Sequence, residues 1–168
     1  MTAPHRTEAP RHVRAAVLTI SDTRTPDTDS SGAYLKAQLE SAGHAVLGYA
    51  VVRDDPDAIR AQLETWLEEG EVQVILTTGG TGIAKRDNTV PIIESLLEVT
   101  LPGFGEVFRT LSYQQVGAAA ILSRATGGLA RGRRSLLFAL PGSLNAVQTA
   151  WEGIFAAELP HLVYETVR

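Results

Sequence analysis

The segment VQVILTTGGTG, Val72 to Gly82, places a short apolar run directly before three glycines in four positions. Val72 to Leu76 is short, apolar and rich in β-branched residues, which reads as a buried strand. Glycine permits positive φ and close backbone approach, so the loop that follows can turn consecutive N–H groups toward an anion. The hydroxyls of Thr78 and Thr81 add donors, and Lys85 and Arg86 bring positive charge just beyond. A Walker loop is excluded, because no Gly-Lys-Ser/Thr follows. A dinucleotide fingerprint would need a third glycine where Lys85 stands. Two readings remain open: a cradle for a phosphate or carboxylate, or a tight strand-to-helix connection.

On either side of this segment the chain alternates between strand and helix patterns. Val13 to Ile20 reads as a strand. Ser30 to Ala42 reads as a helix with Gly43 at its C-terminal cap, and Ala45 to Val52 as a second strand. Asp55-Pro56 is an N-cap followed by proline at the first helical position, opening a helix through Ile59, Leu63, Trp66 and Leu67 that Gly70 ends. Beyond the glycine loop a helix begins near Val90 or Pro91 and carries Ile92, Ile93, Leu96 and Leu97. Another follows Pro102-Gly103 with Phe104, Val107, Phe108 and Leu111. Ala118 to Arg134 is small and glycine-rich and leaves strand or hairpin open. Ser135 to Leu140 is an apolar strand, and Leu144 to Leu159 a last helix. Strands alternating with helices predict an α/β fold with a mostly parallel sheet covered on both faces.

Composition narrows what such a domain can do. At 168 residues, 44% hydrophobic and 20% charged, the chain fits one domain with a sizeable core, here 13–168 after a flexible tail over residues 1–12. A net charge of −4 provides no basic field for nucleic acid or anionic lipid, so neither is an expected partner, and any phosphate must be held locally. There is no cysteine, which excludes disulfides, thiolate metal sites and a cysteine nucleophile and is compatible with a cytoplasmic location. No stretch is long and apolar enough to span a membrane. The tail lacks the apolar core of a signal peptide.

Four polar or glycine-rich clusters each follow an expected strand: Ser21-Asp22, Asp54-Asp55, Thr78 to Gly82, and Pro141-Gly142-Ser143. If the four strands are parallel, all four clusters meet at one sheet edge, where open α/β sheets bind ligands. Asp55 suits the N-cap before Pro56, which leaves Asp54 for function. In Arg86-Asp87-Asn88-Thr89, Asp87 either caps the next helix or brings a carboxylate to the cradle for Mg²⁺. Pro141 to Ser143 either makes a plain N-capped turn or offers helix amides to an oxyanion. Ser123-Arg124 offers a hydroxyl and a planar cation, against the plainer reading of a solvated loop arginine.

The sequence resembles the MoaB/MogA-type proteins of molybdenum cofactor biosynthesis, a family that shares a domain with gephyrin. The likeness is carried by TISD (Thr19 to Asp22), LTTGGTG (Leu76 to Gly82), RDNT (Arg86 to Thr89), PGFGEVFRTLS (Pro102 to Ser112), ILSRATGG (Ile121 to Gly128) and ALPGS (Ala139 to Ser143). They stand in family order and cover nearly all of Val13 to Val163; GFGEVFR and ALPGS look most like the MoaB branch. The resemblance implies a three-layer α/β/α sandwich around a mixed sheet, of the molybdopterin-binding-domain type, assembling as trimers or dimers of trimers. It implies adenylylation of molybdopterin by Mg-ATP, with molybdopterin and ATP as substrates, Mg²⁺ accompanying the ATP, and no tightly bound cofactor.

By motif, Asp54 and Asp87 match the acidic residues of the reaction and are the candidates for touching Mg²⁺. Ser21, Asp22, Thr78, Gly79, Gly80, Thr81, Gly82 and Arg86 would bind nucleotide and phosphate, and Pro141, Gly142 and Ser143 would close the rim. Other proteins of the pathway are implied partners. A non-catalytic oligomer that holds molybdopterin or its precursor is the alternative. One departure stands out: the family pattern Arg-Asp-x-Thr-Pro-Glu-Ala is here Arg86-Asp87-Asn88-Thr89-Val90-Pro91-Ile92, with the glutamate missing and the proline one place late.

Overall fold

The structure, a computed structural model, describes residues 9–130, 132 and 135–168. Most of the expected tail, residues 1–8, lies outside the described residues, as do Arg131, Arg133 and Arg134 of the glycine-rich segment. His12, at the tail's end, donates to the Gly43 carbonyl at 2.8 Å.

Strands β1 (Arg14–Ile20), β2 (Ala45–Val52), β3 (Val74–Thr78), β4 (Leu97–Thr100), β5 (Thr126–Ala130) and β6 (Leu136–Leu140) form one sheet in the order β2-β1-β3-β6-β5-β4. The first four in that order run parallel; β5 is antiparallel to both β6 and β4. The helices are α1 (Ser30–Ser41), α2 (Pro56–Glu69), α3 (Thr89–Leu96), α4 (Pro102–Val116), α5 (Leu144–Ala150) and α6 (Ala156–Val167).

Strand alternation splits the core into two layers. Val17 of β1, Val74 and Leu76 of β3, and Leu136 and Phe138 of β6 pack with Leu35 and Leu39 of α1, Phe104 and Phe108 of α4, and Trp151, Phe155 and Leu159 near the C-terminus. Their neighbours Leu18, Ile75 and Leu137 point the other way, onto Ile59, Leu63 and Trp66 of α2 and Ile92, Ile93 and Leu96 of α3. The result is the expected α/β/α sandwich with a mixed, mostly parallel sheet.

Local signals placed several elements to the residue. Asp55 caps α2 by accepting from Asp57 N at 3.2 Å, Pro56 follows it, and Gly70 ends the helix at φ +72°. Other expectations are corrected. Leu97 was assigned to the helix before it but opens β4, whose register with β5 is a long-range pairing that no local pattern carries. The third strand starts and ends two residues later than expected, so Thr78 belongs to β3. The last helix runs to Val167 through a single wide π-type turn at Trp151–Phe155 and past Pro160. Burial of Leu159 and Val163 outweighs the backbone bond that Pro160 removes. The late proline of the family departure is tolerated too. Pro91 is the third residue of α3, within the first turn, whose amides have no intrahelical acceptor. Among the described residues no helix is long and apolar enough to cross a membrane.

Candidate functional site

Because β2, β1, β3 and β6 are parallel neighbours, the four clusters that follow them do meet at one edge of the sheet. A cavity of about 500 Å³ opens there. Of the residues expected at the site, Ser21, Thr78, Gly79, Gly80, Thr81, Gly82, Asp87, Pro141, Gly142 and Ser143 wall it. Asp22, Asp54 and Arg86 stand behind the wall.

The glycine loop is fixed by its neighbours. Gly79 N donates to Leu140 O at 2.9 Å, and Thr78 Oγ1 donates to Pro141 O at 2.8 Å. Ser31 Oγ donates to Gly142 O at 2.8 Å, which ties the Pro141–Ser143 loop to α1. Gly79 and Gly80 have φ of +103° and +69°. The amides of Gly80, Thr81 and Gly82 then donate to no protein acceptor among the described residues. Three consecutive amides beside the cavity are left with their donors to offer.

Each acidic residue has a distinct setting. Asp87 Oδ2 accepts from Ala84 N at 2.8 Å, closing a turn that places the carboxylate against Gly82. Asp54 Oδ1 accepts from Asn88 N at 3.3 Å and from Asn88 Nδ2 at 3.2 Å, while Oδ2 faces Gly80. Asp22 Oδ2 takes two hydrogen bonds from Arg86, at 2.6 and 2.9 Å, and Oδ1 accepts from Asp54 N at 3.2 Å. The Arg86 hydrogen bonds hold the Asp22 carboxyl below the usual carboxylate range. This exposed pair links the loop after β1 to the loop after β3. Ser143 does cap α5, accepting from Ala146 N at 3.1 Å, so its hydroxyl serves the helix while it walls the cavity. Asn88 precedes α3 without capping it through its side chain. Thr89 Oγ1 is buried beside Gly80 with no hydrogen-bond partner among the described residues.

Sequence reading missed three groups. Asp29, buried, caps α1 through Gly32 N at 2.9 Å and also accepts from Thr19 Oγ1 at 2.6 Å and Tyr49 Oη at 2.5 Å. Burial first, and then the Asp29 carboxylate, push the Tyr49 phenol above its usual value. The signal was present, as Asp29-Ser30-Ser31 is an N-cap pattern. Arg24 walls the cavity and donates to Ser30 Oγ at 2.6 Å. Arg124 is not a solvated loop residue: it donates to the Gly82 and Asp87 carbonyls at 3.0 and 3.3 Å.

The far half of the cavity is different in character. Phe108, Val116, Ala119, Ala120 and Leu122 give it an apolar side. Asn145 and Thr149 stand opposite, joined through Gln115 by hydrogen bonds of 2.7 and 2.8 Å. The glycine-loop half of the cavity thus continues into a half with one apolar side and one polar side.

Fold and site together define an α/β/α protein with a glycine loop walling a cavity at the carboxyl edge of its parallel strands. The chain belongs to the family described as "Probable molybdopterin binding domain", whose pattern matches residues 16–161. It is 43% identical to molybdenum cofactor biosynthesis protein B of Bacillus cereus over 165 residues, covering 98% of this chain and 96% of that one. Among solved structures it matches the tungsten cofactor synthesizing protein MoaB of Pyrococcus furiosus with TM-score 0.86 and 37% identity, covering 95% and 100% of the two chains. It matches a structure of MogA with TM-score 0.82 and 29% identity, covering 91% and 99%.

Proposed function

We propose that the chain serves molybdenum cofactor biosynthesis by adenylylating molybdopterin. The observation that carries this reading is the row of unclaimed Gly80, Thr81 and Gly82 amides beside Asp87, in a cavity whose other half suits a fused heterocycle. Family membership and the names of the relatives support the pathway. A terminal phosphate oxygen of molybdopterin attacks the α-phosphorus of ATP. The α–β phosphoanhydride bond breaks, and pyrophosphate leaves. The glycine-loop amides stabilise charge on the transferring phosphoryl group, and Arg24 adds a cation at the rim. Asp87 on the cavity wall, with Asp54 close behind it, would hold the Mg²⁺ of Mg-ATP. Such a site needs only one or two carboxylates, since substrate oxygens and water complete the shell. The metal supplies charge neutralisation of the phosphates. Asp22 and Arg86 brace the two loops.

Incubating the protein with molybdopterin, ATP and Mg²⁺ is expected to yield adenylylated molybdopterin and pyrophosphate in equal amounts. Molybdopterin binding with no pyrophosphate release, while an active adenylyltransferase works alongside, would leave the chain as a holder of molybdopterin instead.

Self-assembly belongs to the same proposal. Tyr113 on α4 and Ile121 on the 3₁₀ turns Gly117–Leu122 after it are largely exposed and line one apolar groove with Ala120. A cluster of this kind marks a surface that another chain covers. Light scattering is expected to give a mass of three or six chains, and a monomer at micromolar concentration contradicts it.

A further inference from the structure

Arg124 reaches the site by an unusual route. Strand β5 runs against its neighbours, so its beginning, rather than its end, lies at the edge where β3 and β6 finish. Arg124 stands two residues before that beginning. Its Nε donates to Gly82 O at 3.0 Å and its Nη2 to Asp87 O at 3.3 Å. Those two carbonyls bracket the turn from Ile83 to Asp87. Within the turn the backbone amides bond locally, Asp87 N to Ala84 O and Ala84 N to Asp87 Oδ2, while the exposed Arg86 side chain reaches out to Asp22. Ile83 is 71% exposed and makes no anchor in the core. One planar guanidinium therefore holds both ends of the turn, and its rigid fork fixes their separation.

The second end carries more. A trans peptide unit points its carbonyl and its N–H in opposite directions. The unit joining Asp87 to Asn88 gives its oxygen to Arg124 and its N–H to Asp54 Oδ1, at 3.3 Å on each side. It is strung between a cation and an anion, and rotating it loses both charge-assisted bonds together. The residue on the amino side of that unit is Asp87, whose carboxylate walls the cavity. Arg124 itself does not line the cavity, and it makes no ion pair with a carboxylate among the described residues.

The geometry points to Arg124 as a positioning residue for the adenylyl transfer proposed above, on which this inference rests: through the Gly82 and Asp87 carbonyls it sets the aim of the Asp87 carboxylate. Asp54 is its counterpart on the other side of the same peptide unit. Lysine at 124 keeps the charge but not the fork, and alanine keeps neither.

In steady-state assays of the full chain, Arg124→Ala is expected to lower kcat by about 100-fold, the scale of a catalytic group misplaced by about an ångström. The KM for molybdopterin should stay within about threefold, because the apolar half of the cavity is untouched. Arg124→Lys should recover only a small part of the loss. Added guanidinium should raise Arg124→Ala turnover by about tenfold and leave Asp87→Asn unchanged, which a role confined to folding would not produce. Hydrogen exchange supplies a readout that needs no turnover. The Ala84 and Asn88 amides should exchange about tenfold faster in Arg124→Ala, with β1 and β3 amides unchanged and guanidinium reversing the effect. A parent protein without activity sinks the adenylylation reading, while the exchange pattern still decides whether Arg124 holds the turn. Variants at 124 that turn over like the parent overturn the inference, and so does a loss traceable to faster exchange throughout the sheet.

Discussion

Replacing Asp87 with asparagine is expected to lower adenylyl transfer by about 10³-fold while the thermal unfolding midpoint stays within about 3 °C of the parent's. Asparagine has the same shape, and its Oδ1 can still accept from Ala84 N, the bond that now goes to Asp87 Oδ2 at 2.8 Å. The turn is kept. What disappears is the negative charge and the second carboxylate oxygen. Catalysis of phosphoryl-type transfer rests on positioning and charge stabilisation, so the loss falls on kcat. Asp54→Asn is the informative companion. Its Oδ1 would still receive Asn88 N, so the peptide unit it shares with Arg124 survives in weakened form. Its loss of activity should be smaller if Asp54 mainly aims Asp87, and equal if both carboxylates touch the metal. Turnover of Asp87→Asn within about threefold of the parent would remove Asp87 from the chemistry.

How much of this could be read from the sequence depends on how local each cause is. Ala45 to Val52, the Asp55-Pro56 cap and the Gly70 stop are set by neighbouring residues and were legible as they stand. The meeting of four loops was legible too, since it needs only that β1, β2, β3 and β6 be parallel. β4 was not: its four residues follow α3 without a break, and only pairing with β5 makes them a strand. β5 itself, Thr-Gly-Gly-Leu-Ala, has little β propensity. Its glycines are required because a Cβ at Gly127 or Gly128 would strike Phe138 or the Val99 carbonyl. The segment was open as strand or hairpin, which β5 and its antiparallel pairing with β6 bear out, but Arg124 just before it carried little weight. The rule that ligands gather after strands overlooks a loop that precedes an antiparallel one. The apolar half of the cavity was hidden for another reason: Phe108 and Val116 look like any core or surface positions of a helix until the 3₁₀ turns fold beside them.

Gly79→Ala is expected to destabilise the fold by about 3 kcal/mol or more and to weaken pyrophosphate binding at least about tenfold. Two independent penalties fall on that one methyl group. The φ of +103° lies where residues with a side chain rarely go. In addition, a Cβ there would overlap the carbonyl oxygen of Ile20, a backbone atom at the end of β1 that cannot swing aside. Gly79 is also where β6 closes on β3: its N–H is bound to Leu140 O, and a Cβ on Gly142 would come within 3.3 Å of the Gly79 Cα. Three strand ends therefore meet around a residue with no room for a side chain. Relief of the overlap must push β1, β3 and β6 apart, which moves the Gly80 to Gly82 amides with them. Gly103→Ala provides the control. Nothing lies within 4 Å of its Cβ position, no positive φ is involved, and it is the second residue of α4. There alanine should stay within about 0.5 kcal/mol of the parent or stabilise slightly. Urea denaturation of both variants reads the difference directly. A Gly79→Ala protein within about 1 kcal/mol of Gly103→Ala would mean that the three strand ends are not locked together at this point. The glycine would then be explained by ligand approach alone.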